Sequence, residues 1–457
     1  MTITRRASLT AVLTAAASLL VSPKLGTAQP FSSGSTGEDG PFIPTCAPTP
    51  CTVVVTLPES GVFNFTTIDI PTGVTVRFSK NTANTPVTLL ATGDANIAGV
   101  IEVSGSNAGT SGVPGRGGPG GFDGAMGGNV TVSLDGTPGI GPGGGGGGDA
   151  AVTSGSGGGF GTGGSGTRGG SVYGIQTLLP LIGGSGGGGG RGSTTSAGGG
   201  GGGGGGALLI ASSGTINLTV FGTGLKADGG AVGLGFANGG GGSGGAIRLL
   251  ANRILGNNNT QLRARGGGSG PVGGGLGRIR VEAFELNLAA GFIDPPPSTG
   301  TPGPVTPPAG FPSLRIPAVG GVSPPAIPQG TFLAPPDIAL SPTVMNPVTV
   351  ELAAANIPLG TTIAVTVRPE AGPITTVDST PLEGTLASST ATASVSLANG
   401  VSVISANATF AAPRVGSLGR PMVVAGEVVK QIQVSSTYEG PTRIIYITAS
   451  GQEVDIR

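Results

Sequence analysis

Residues 205–210 read GGALLI, and this junction between a glycine run and an apolar strand is the feature from which the fold is inferred. The junction returns at 127–134 (GGNVTVSL), 169–173 (GGSVY), 244–250 (GGAIRLL) and 277–283 (GRIRVEA), at intervals of roughly 32 to 42 residues. The surrounding region, 105–277, holds about 70 of the 94 glycines. Returns at such irregular intervals are typical of repeat architectures of irregular period, in which each unit buries its apolar stripe against its neighbours.

Each unit consists of two short β pieces joined by a polar turn. Residues 207–211 lead to 225–230, residues 246–251 lead to 260–267, and residues 87–91 lead to 100–105. The period-2 alternation predicts strands, and glycine disfavours helix by about 1 kcal/mol per residue relative to alanine. We therefore predict an all-β chain with a parallel β-solenoid, interrupted by glycine-rich excursions, over residues 52–294.

The glycine runs have two possible structures. Residues 143–148, 186–190 and 198–206 have no side chains to bury, so hydrophobic burial does not order them. They form either mobile loops, which we favour, or extended threefold helices similar to polyglycine II that pack backbone to backbone. Collagen is excluded because the glycines are consecutive rather than at every third position.

The Gly-Gly–strand units over residues 52–288 resemble those of secreted bacterial glycine-rich β-helix proteins and adhesin-like passengers. The resemblance rests on the repeated junctions alone. It implies a role at a cell surface or in an extracellular matrix, and it transfers no functional residue to this chain.

The N-terminus predicts export. Two arginines, Arg5 and Arg6, precede an apolar run from Ala7 to Val21 and a small-residue cleavage site, so residues 1–28 are predicted to be a signal peptide. The Sec pathway is slightly favoured over the twin-arginine pathway, because Ser8 stands where the latter prefers a bulky apolar residue. After removal of the signal no membrane span is expected.

Two further regions flank the solenoid. The N-terminal segment, 29–51, contains the only cysteines, Cys46 and Cys51, which we expect to form a disulfide in an oxidising compartment. Residues 295–347 are rich in proline and predict a semi-rigid linker. Residues 348–457 return to alternating strands and predict a C-terminal β-sandwich, with an immunoglobulin-like domain as the class-level hypothesis.

The chain lacks the residues of most catalytic sites. It contains no histidine, which excludes Ser-His-Asp and Cys-His nucleophile systems and most zinc sites. Carboxylates are the remaining catalytic option, with five candidates: Asp69, Asp94, Glu102, Asp228 and Glu282. A formal match to a calcium-binding β-roll repeat at 144–152 stands alone, and we attribute it to chance. We predict a non-enzymatic protein with no cofactor and no metal.

Arginines are concentrated near the end of the predicted solenoid. The candidate ligand-binding residues are Arg248, Arg263, Arg265, Arg278 and Arg280. If the units stack in register, these side chains form a ladder that binds an anionic polysaccharide. The alternative, which we favour, is a solvated outer face that prevents edge-to-edge aggregation.

Three functions follow from these observations. The first is a non-enzymatic secreted or cell-surface structural or adhesive protein, whose partners are extracellular polysaccharide or cell-surface components. The second is a solenoid that binds anionic glycans or ice, and the third is a carboxylate-based polysaccharide-degrading enzyme. Nucleic acid is not an expected partner, because acidic and basic residues are equal in number, 22 each.

Overall fold

The computed structural model describes residues 30–457 except 83, 111, 130–132, 221–223, 290, 307–311, 325–335, 371–372, 412–422, 425–426, 438–442, 449–452 and 455–457. The predicted signal peptide therefore lies outside the described residues. The strands of the first part of the chain are β1 (Cys51–Thr56), β2 (Val62–Phe65), β3 (Ile68–Ile70), β4 (Val74–Ser79), β5 (Val87–Ala91), β6 (Ala95–Ile97), β7 (Val100–Glu102), β8 (Ala207–Leu218), β9 (Gly224–Lys226), β10 (Ala246–Gly256), β11 (Gln261–Arg263), β12 (Arg278–Leu288), β13 (Phe292–Asp294) and β14 (Ser298–Gly300). A 3-10 turn spans Gly270–Val272.

These strands form two parallel sheets. Sheet A has the order β14-β12-β10-β8-β5-β2, with β3 and β6 at its side, and sheet B has the order β1-β4-β7-β9-β11-β13. The two sheets enclose one hydrophobic core, because alternate side chains of each strand point inward. Its members include Leu89, Leu208, Leu249 and Val281 from sheet A and Val76, Ile101, Leu225 and Leu262 from sheet B.

The glycine-rich segments form a third structure, the glycine lattice, made of the described residues within 103–206, 227–245 and 264–277. Its extended runs exchange backbone hydrogen bonds with a period of three residues. Along residues 198–206, one set of N–H groups donates to a neighbouring run at 2.8–2.9 Å (Gly199 to Ala237, Gly202 to Gly240, Gly205 to Ser243), and a second set donates to another run at 2.8 Å (Gly198 to Gly128, Gly201 to Ala125, Gly204 to Phe122). A period of three matches the three residues per turn of a polyproline-II-type backbone.

The lattice requires glycine because its runs touch through their backbones. Residues 198–206 are buried throughout. A Cβ atom at Gly202 would lie closer than 3.0 Å to backbone atoms of Gly230 and Ala231. The glycine runs are therefore ordered by backbone hydrogen bonds, and our preference for mobile loops is wrong.

The predicted parallel β-solenoid is also wrong. The described strands belong to two parallel and two antiparallel sheets rather than to one stack of repeated units. The segment 169–173 is not a strand, and the described residues between Glu102 and Ala207 contain no strand. Val87 consequently lies beside Leu208. The physical reason is that the glycine-rich segments pair with one another, because every buried N–H group needs an acceptor.

The C-terminal part of the chain contains the two antiparallel sheets. Its strands are β15 (Ser313–Val319), β16 (Val348–Ala355), β17 (Ile363–Pro369), β18 (Thr375–Asp378), β19 (Glu383–Thr385), β20 (Ser388–Val395), β21 (Ser402–Ala411), β22 (Val423–Val424), β23 (Glu427–Thr437), β24 (Arg443–Thr448) and β25 (Glu453–Val454). Sheet C has the order β15-β16-β20-β19, and sheet D runs β18-β17-β21-β23-β24-β25 with β22 beside β23. One core joins them, with Val350 and Leu352 from sheet C and Val365 and Ile404 from sheet D.

The proline-rich segment is not a separate linker. β14 belongs to sheet A and β15 belongs to sheet C, so residues 295–347 contribute strands to both parts of the chain. Pro317 is compatible with β15 because it lies where the pairing register shifts, between Arg315 and Ala318. The two parts also touch, since Arg368 of β17 donates a hydrogen bond to the Gly139 carbonyl oxygen at 3.4 Å.

A buried carboxylate, Asp123, links the lattice to Lys80, which directly follows β4. Asp123 is 4% exposed, and its Oδ1 atom accepts hydrogen bonds from the Gly117 N–H group at 2.7 Å and from Lys80 Nζ at 3.3 Å. We expect Asp123→Ala to lower the free energy of unfolding by about 1–3 kcal/mol, because a buried N–H group loses its acceptor. Chemical denaturation measures this. A change below about 0.5 kcal/mol would show that water replaces the carboxylate.

Candidate functional site

The structure separates the five predicted ligand-binding arginines into two groups. Arg248, Arg278 and Arg280 lie on β10 and β12 of sheet A, and Arg263 and Arg265 lie at the end of β11 in sheet B and just beyond it. Only Arg248 and Arg280 are direct neighbours in strand register. The five side chains therefore do not form one continuous ladder.

The sheet A group is centred on a buried ion pair. Arg248 is 1% exposed and Glu282 is 2% exposed. Arg248 Nη2 donates to Glu282 Oε1 and Oε2, both at 3.2 Å, and to the Pro304 carbonyl oxygen at 2.9 Å. Burial lowers the pKa of Arg248, while attraction to the Glu282 carboxylate acts in the opposite direction. The guanidinium thus holds the chain after β14 in place, and its surface is not open to a ligand.

The other two arginines of this group also bond within the chain. Arg280 donates from Nε to Glu282 Oε1 at 2.9 Å and from Nη1 to the Thr299 carbonyl oxygen at 2.8 Å. Arg278 donates to the Tyr173 carbonyl oxygen at 3.2–3.3 Å and lies 5.8 Å from the centre of the Phe160 ring. These contacts connect sheet A to Phe160 and Tyr173 of the lattice and to β14.

The sheet B group lies on a more accessible surface. Arg263 pairs with Asp228 at 2.6 Å, and Arg265 pairs with Asp294 at 2.5 Å. The Arg265 guanidinium also lies 4.6 Å from the centre of the Phe292 ring, and Phe292 is 53% exposed. About a third of each arginine side chain remains accessible, 30% for Arg263 and 35% for Arg265. Sheet B therefore combines cations with an exposed aromatic ring.

Strand pairing adds two residues that the sequence analysis did not select. Arg77 of β4 pairs with Glu102 at 2.7 Å, and its side chain is 57% exposed. Lys226 of β9 lies in register between Glu102 and Arg263. Both occupy outward-facing positions in strands whose side chains alternate between the core and solvent. This alternation could have indicated them as surface residues. Their proximity to Arg263 could not be read from the chain, because β4 and β11 are far apart in sequence.

The five carboxylate candidates are spread over the molecule. Glu102, Asp228 and Glu282 are paired with arginines, as described above, and the Asp94 Oδ1 atom accepts a hydrogen bond from the Thr215 N–H group at 2.7 Å. Asp69 is exposed on β3. A cleft of about 400 Å³ lies instead in the C-terminal part, between residues 336–348 and 397–404, and none of the five lines it.

The position of the calcium-repeat match is filled by bonds within the chain. Asp149 accepts hydrogen bonds from the N–H groups of Ala151 and Val152 at 2.9 Å and pairs with Arg168 at 2.6 Å. The Val152 hydrogen bond, followed by the Arg168 hydrogen bond, lowers the pKa of Asp149. In the described part of the chain, no group of three His, Cys, Asp or Glu side chains is placed to hold a metal ion.

The two cysteines are joined by a disulfide. Cys46 and Cys51 are linked with their Cα atoms 6.1 Å apart, next to the first strand of sheet B. Both pack against the core between sheets A and B. The bond closes a loop of a few residues, so it stabilises this end of the sheet locally.

Comparisons with known proteins return no match to a family profile, to a curated protein or to a solved structure. Among the described residues, no helix has the length and apolar character that a bilayer span requires.

Proposed function

We propose that the chain is a non-enzymatic structural or adhesive protein that acts outside the cytoplasm. The observation that carries this proposal is the glycine lattice, whose central runs use their backbone N–H groups in a repeating three-residue pattern. Such a lattice is held by backbone hydrogen bonds and has few side chains, which suits a scaffold better than a catalyst. The chain beside it presents surfaces at fixed positions.

Two features support a location outside the cytoplasm and a function without enzymatic activity. The Cys46–Cys51 disulfide suits an oxidising compartment, in agreement with the predicted signal peptide. Most carboxylate candidates are already bonded to arginines or to backbone N–H groups. Acid–base catalysis of glycoside hydrolysis needs a pair of carboxylates facing each other across a substrate groove.

The proposal is tested by adsorption and by product analysis with the same purified protein. We expect the full chain to be retained on films of extracellular polysaccharide in a quartz crystal microbalance. We also expect no release of reducing ends or unsaturated sugars from these films. Release of products would assign an enzymatic function, and failure to adsorb to acidic, neutral and mixed cell-surface films would contradict an adhesive one.

Ice binding is a weaker proposal for the same molecule. An ice-binding face would need regularly spaced threonines or backbone groups on a flat surface. On the outer face of sheet B, Thr52 and Thr75 are neighbours in register, but the row continues with Val100 and Gly224. The structure therefore offers no continuous threonine row on this sheet.

A further inference from the structure

The outer face of sheet B carries an ordered row of charged side chains. In register across the six strands, the charged members of the row are Arg77, Glu102, Lys226, Arg263 and Asp294, and the apolar Val54 lies at its end. Adjacent members are one strand apart, which is about 4.8 Å. The backbone ladder sets this spacing, so the Cα atoms of these residues lie along a line across the sheet.

This face is open to solvent. Val54 is 65% exposed, Phe292 is 53% exposed and the Arg77 side chain is 57% exposed. The opposite side of the same strands is the core, where Val76, Ile101 and Leu262 are buried. Alternation along each strand therefore separates an apolar inner face from an accessible, charged outer face.

The exposed charge of this face is mainly positive. With Asp228 and Arg265, which follow β9 and β11, it has four cations and three carboxylates. Within the ion pairs the cation is at least as accessible as its partner: 57% against 21% for Arg77–Glu102, 30% against 17% for Arg263–Asp228, and 35% each for Arg265–Asp294. Lys226 has no ion pair or side-chain hydrogen bond with any described residue, so its ammonium group is available.

The shape of the outer face of sheet B suits a flat ligand. Gly224 has no side chain, and the Lys226 stem passes over its position, since a Cβ atom there would lie 3.7 Å from Lys226 Cε. At the edge of the sheet, the exposed Phe292 ring is held by Arg265. Aromatic rings combine an apolar surface with a fixed orientation, which allows them to stack on planar or ring-shaped ligands.

We propose that the outer face of sheet B binds a linear acidic polysaccharide, with Arg77, Lys226 and Arg263 contacting its carboxylates and Phe292 contacting a sugar ring. This inference rests on the proposed adhesive function and names its surface. A polymer with repeating carboxylates can contact Lys226 and Arg263, which are one strand apart, together with Arg77, which is two strands from Lys226, whereas a single small anion would contact only one of them. Double-stranded DNA fits less well, because its dense phosphates would meet three carboxylates on the same face.

The test measures binding of the full chain to immobilised polygalacturonate, with dextran as the neutral comparison and duplex DNA as the competing polyanion. We expect the double variant Arg77→Gln/Lys226→Gln to raise Kd about tenfold, which corresponds to about 1.4 kcal/mol. Binding of the unchanged protein should weaken between about 20 mM and about 200 mM NaCl, since exposed charges are screened by salt. Lys226→Arg should retain the affinity.

Arg253→Gln is the matched control. Arg253 is an equally exposed arginine, with 48% of its side chain accessible, but it lies on β10 of sheet A and pairs there with Glu285. We expect its Kd to stay within about twofold of that of the unchanged protein. Equal binding by the double variant and the unchanged protein would place any binding elsewhere and overturn the inference. Equal affinity for dextran or for DNA would overturn it as well.

These outcomes are distinguishable from failure of the proposed function. If the unchanged protein adsorbs to other surfaces but not to polygalacturonate, the inference about sheet B fails and the adhesive function stands. If it adsorbs to none of the films, the adhesive function itself fails. All variants concern side chains that are at least partly accessible to solvent, and their thermal melting profiles should coincide with that of the unchanged protein.

Discussion

Gly202→Ala is expected to lower the free energy of unfolding by at least about 1–3 kcal/mol, the usual range for overpacking a filled interior. Gly202 lies in the centre of the lattice, where a Cβ atom would approach backbone atoms of Gly230 and Ala231 to less than 3.0 Å. A flexible side chain could rotate away from a new methyl group, but a hydrogen-bonded backbone cannot. The neighbouring run must therefore move, and its hydrogen bonds weaken together.

The measurement is chemical denaturation, combined with hydrogen exchange of the lattice amides. The control is Gly163→Ala at the lattice surface, where a Cβ atom would meet only the Gly170 carbonyl oxygen, at an ordinary 3.5 Å. We expect this change to be neutral or to stabilise by up to about 1 kcal/mol, through the unfolded state. Equal stability of the two variants would show that the central runs are not closely packed.

Glu282→Gln is expected to destabilise the protein by about 3–5 kcal/mol, because it leaves the Arg248 guanidinium buried without its counter-charge. Arg248 and Glu282 are 1% and 2% exposed, so solvent does not screen the loss. The Arg280 and Gly303 contacts to the same carboxylate weaken at the same time. The effect should appear as a lower midpoint in chemical denaturation.

The same pair of strands supplies the control. Arg253 and Glu285 also connect β10 to β12, at 3.0 Å, but their side chains are 48% and 63% exposed. Glu285→Gln should change stability by only about 0–1 kcal/mol. The double variant Arg248→Met/Glu282→Leu should recover most of the loss, since an apolar pair often replaces a buried ion pair without penalty. A Glu282→Gln effect no larger than that of Glu285→Gln would show that the buried charge is compensated by the backbone carbonyls.

The interior of this chain is stabilised in two ways. The core between sheets A and B uses apolar side chains, and the lattice uses backbone hydrogen bonds with almost no side chains. β8, β10 and β12 each begin directly where a lattice run ends, so the lattice and sheet A are continuous. A disturbance in one is therefore expected to affect the other.

Local patterns predicted part of the candidate site. The alternation at 260–265 placed Arg263 and Arg265 on one strand face, and both lie on or next to β11 of sheet B. The same reasoning placed Arg248 on an outer face, whereas the structure buries it beside Glu282. Alternation identifies which residues share a face, but it does not show whether another part of the chain covers that face.

The sequence by itself determined that this chain is built from short β pieces and glycine runs, because alternation and the absence of a Cβ atom are properties of each residue and its neighbours. Only the tertiary structure decided which strands meet, that the glycine runs are ordered, and which arginines have carboxylate partners. The glycine runs are nearly identical to one another, so nothing local specifies which N–H group meets which carbonyl. That choice is made by how the whole chain packs, where each run must satisfy its buried backbone groups at once.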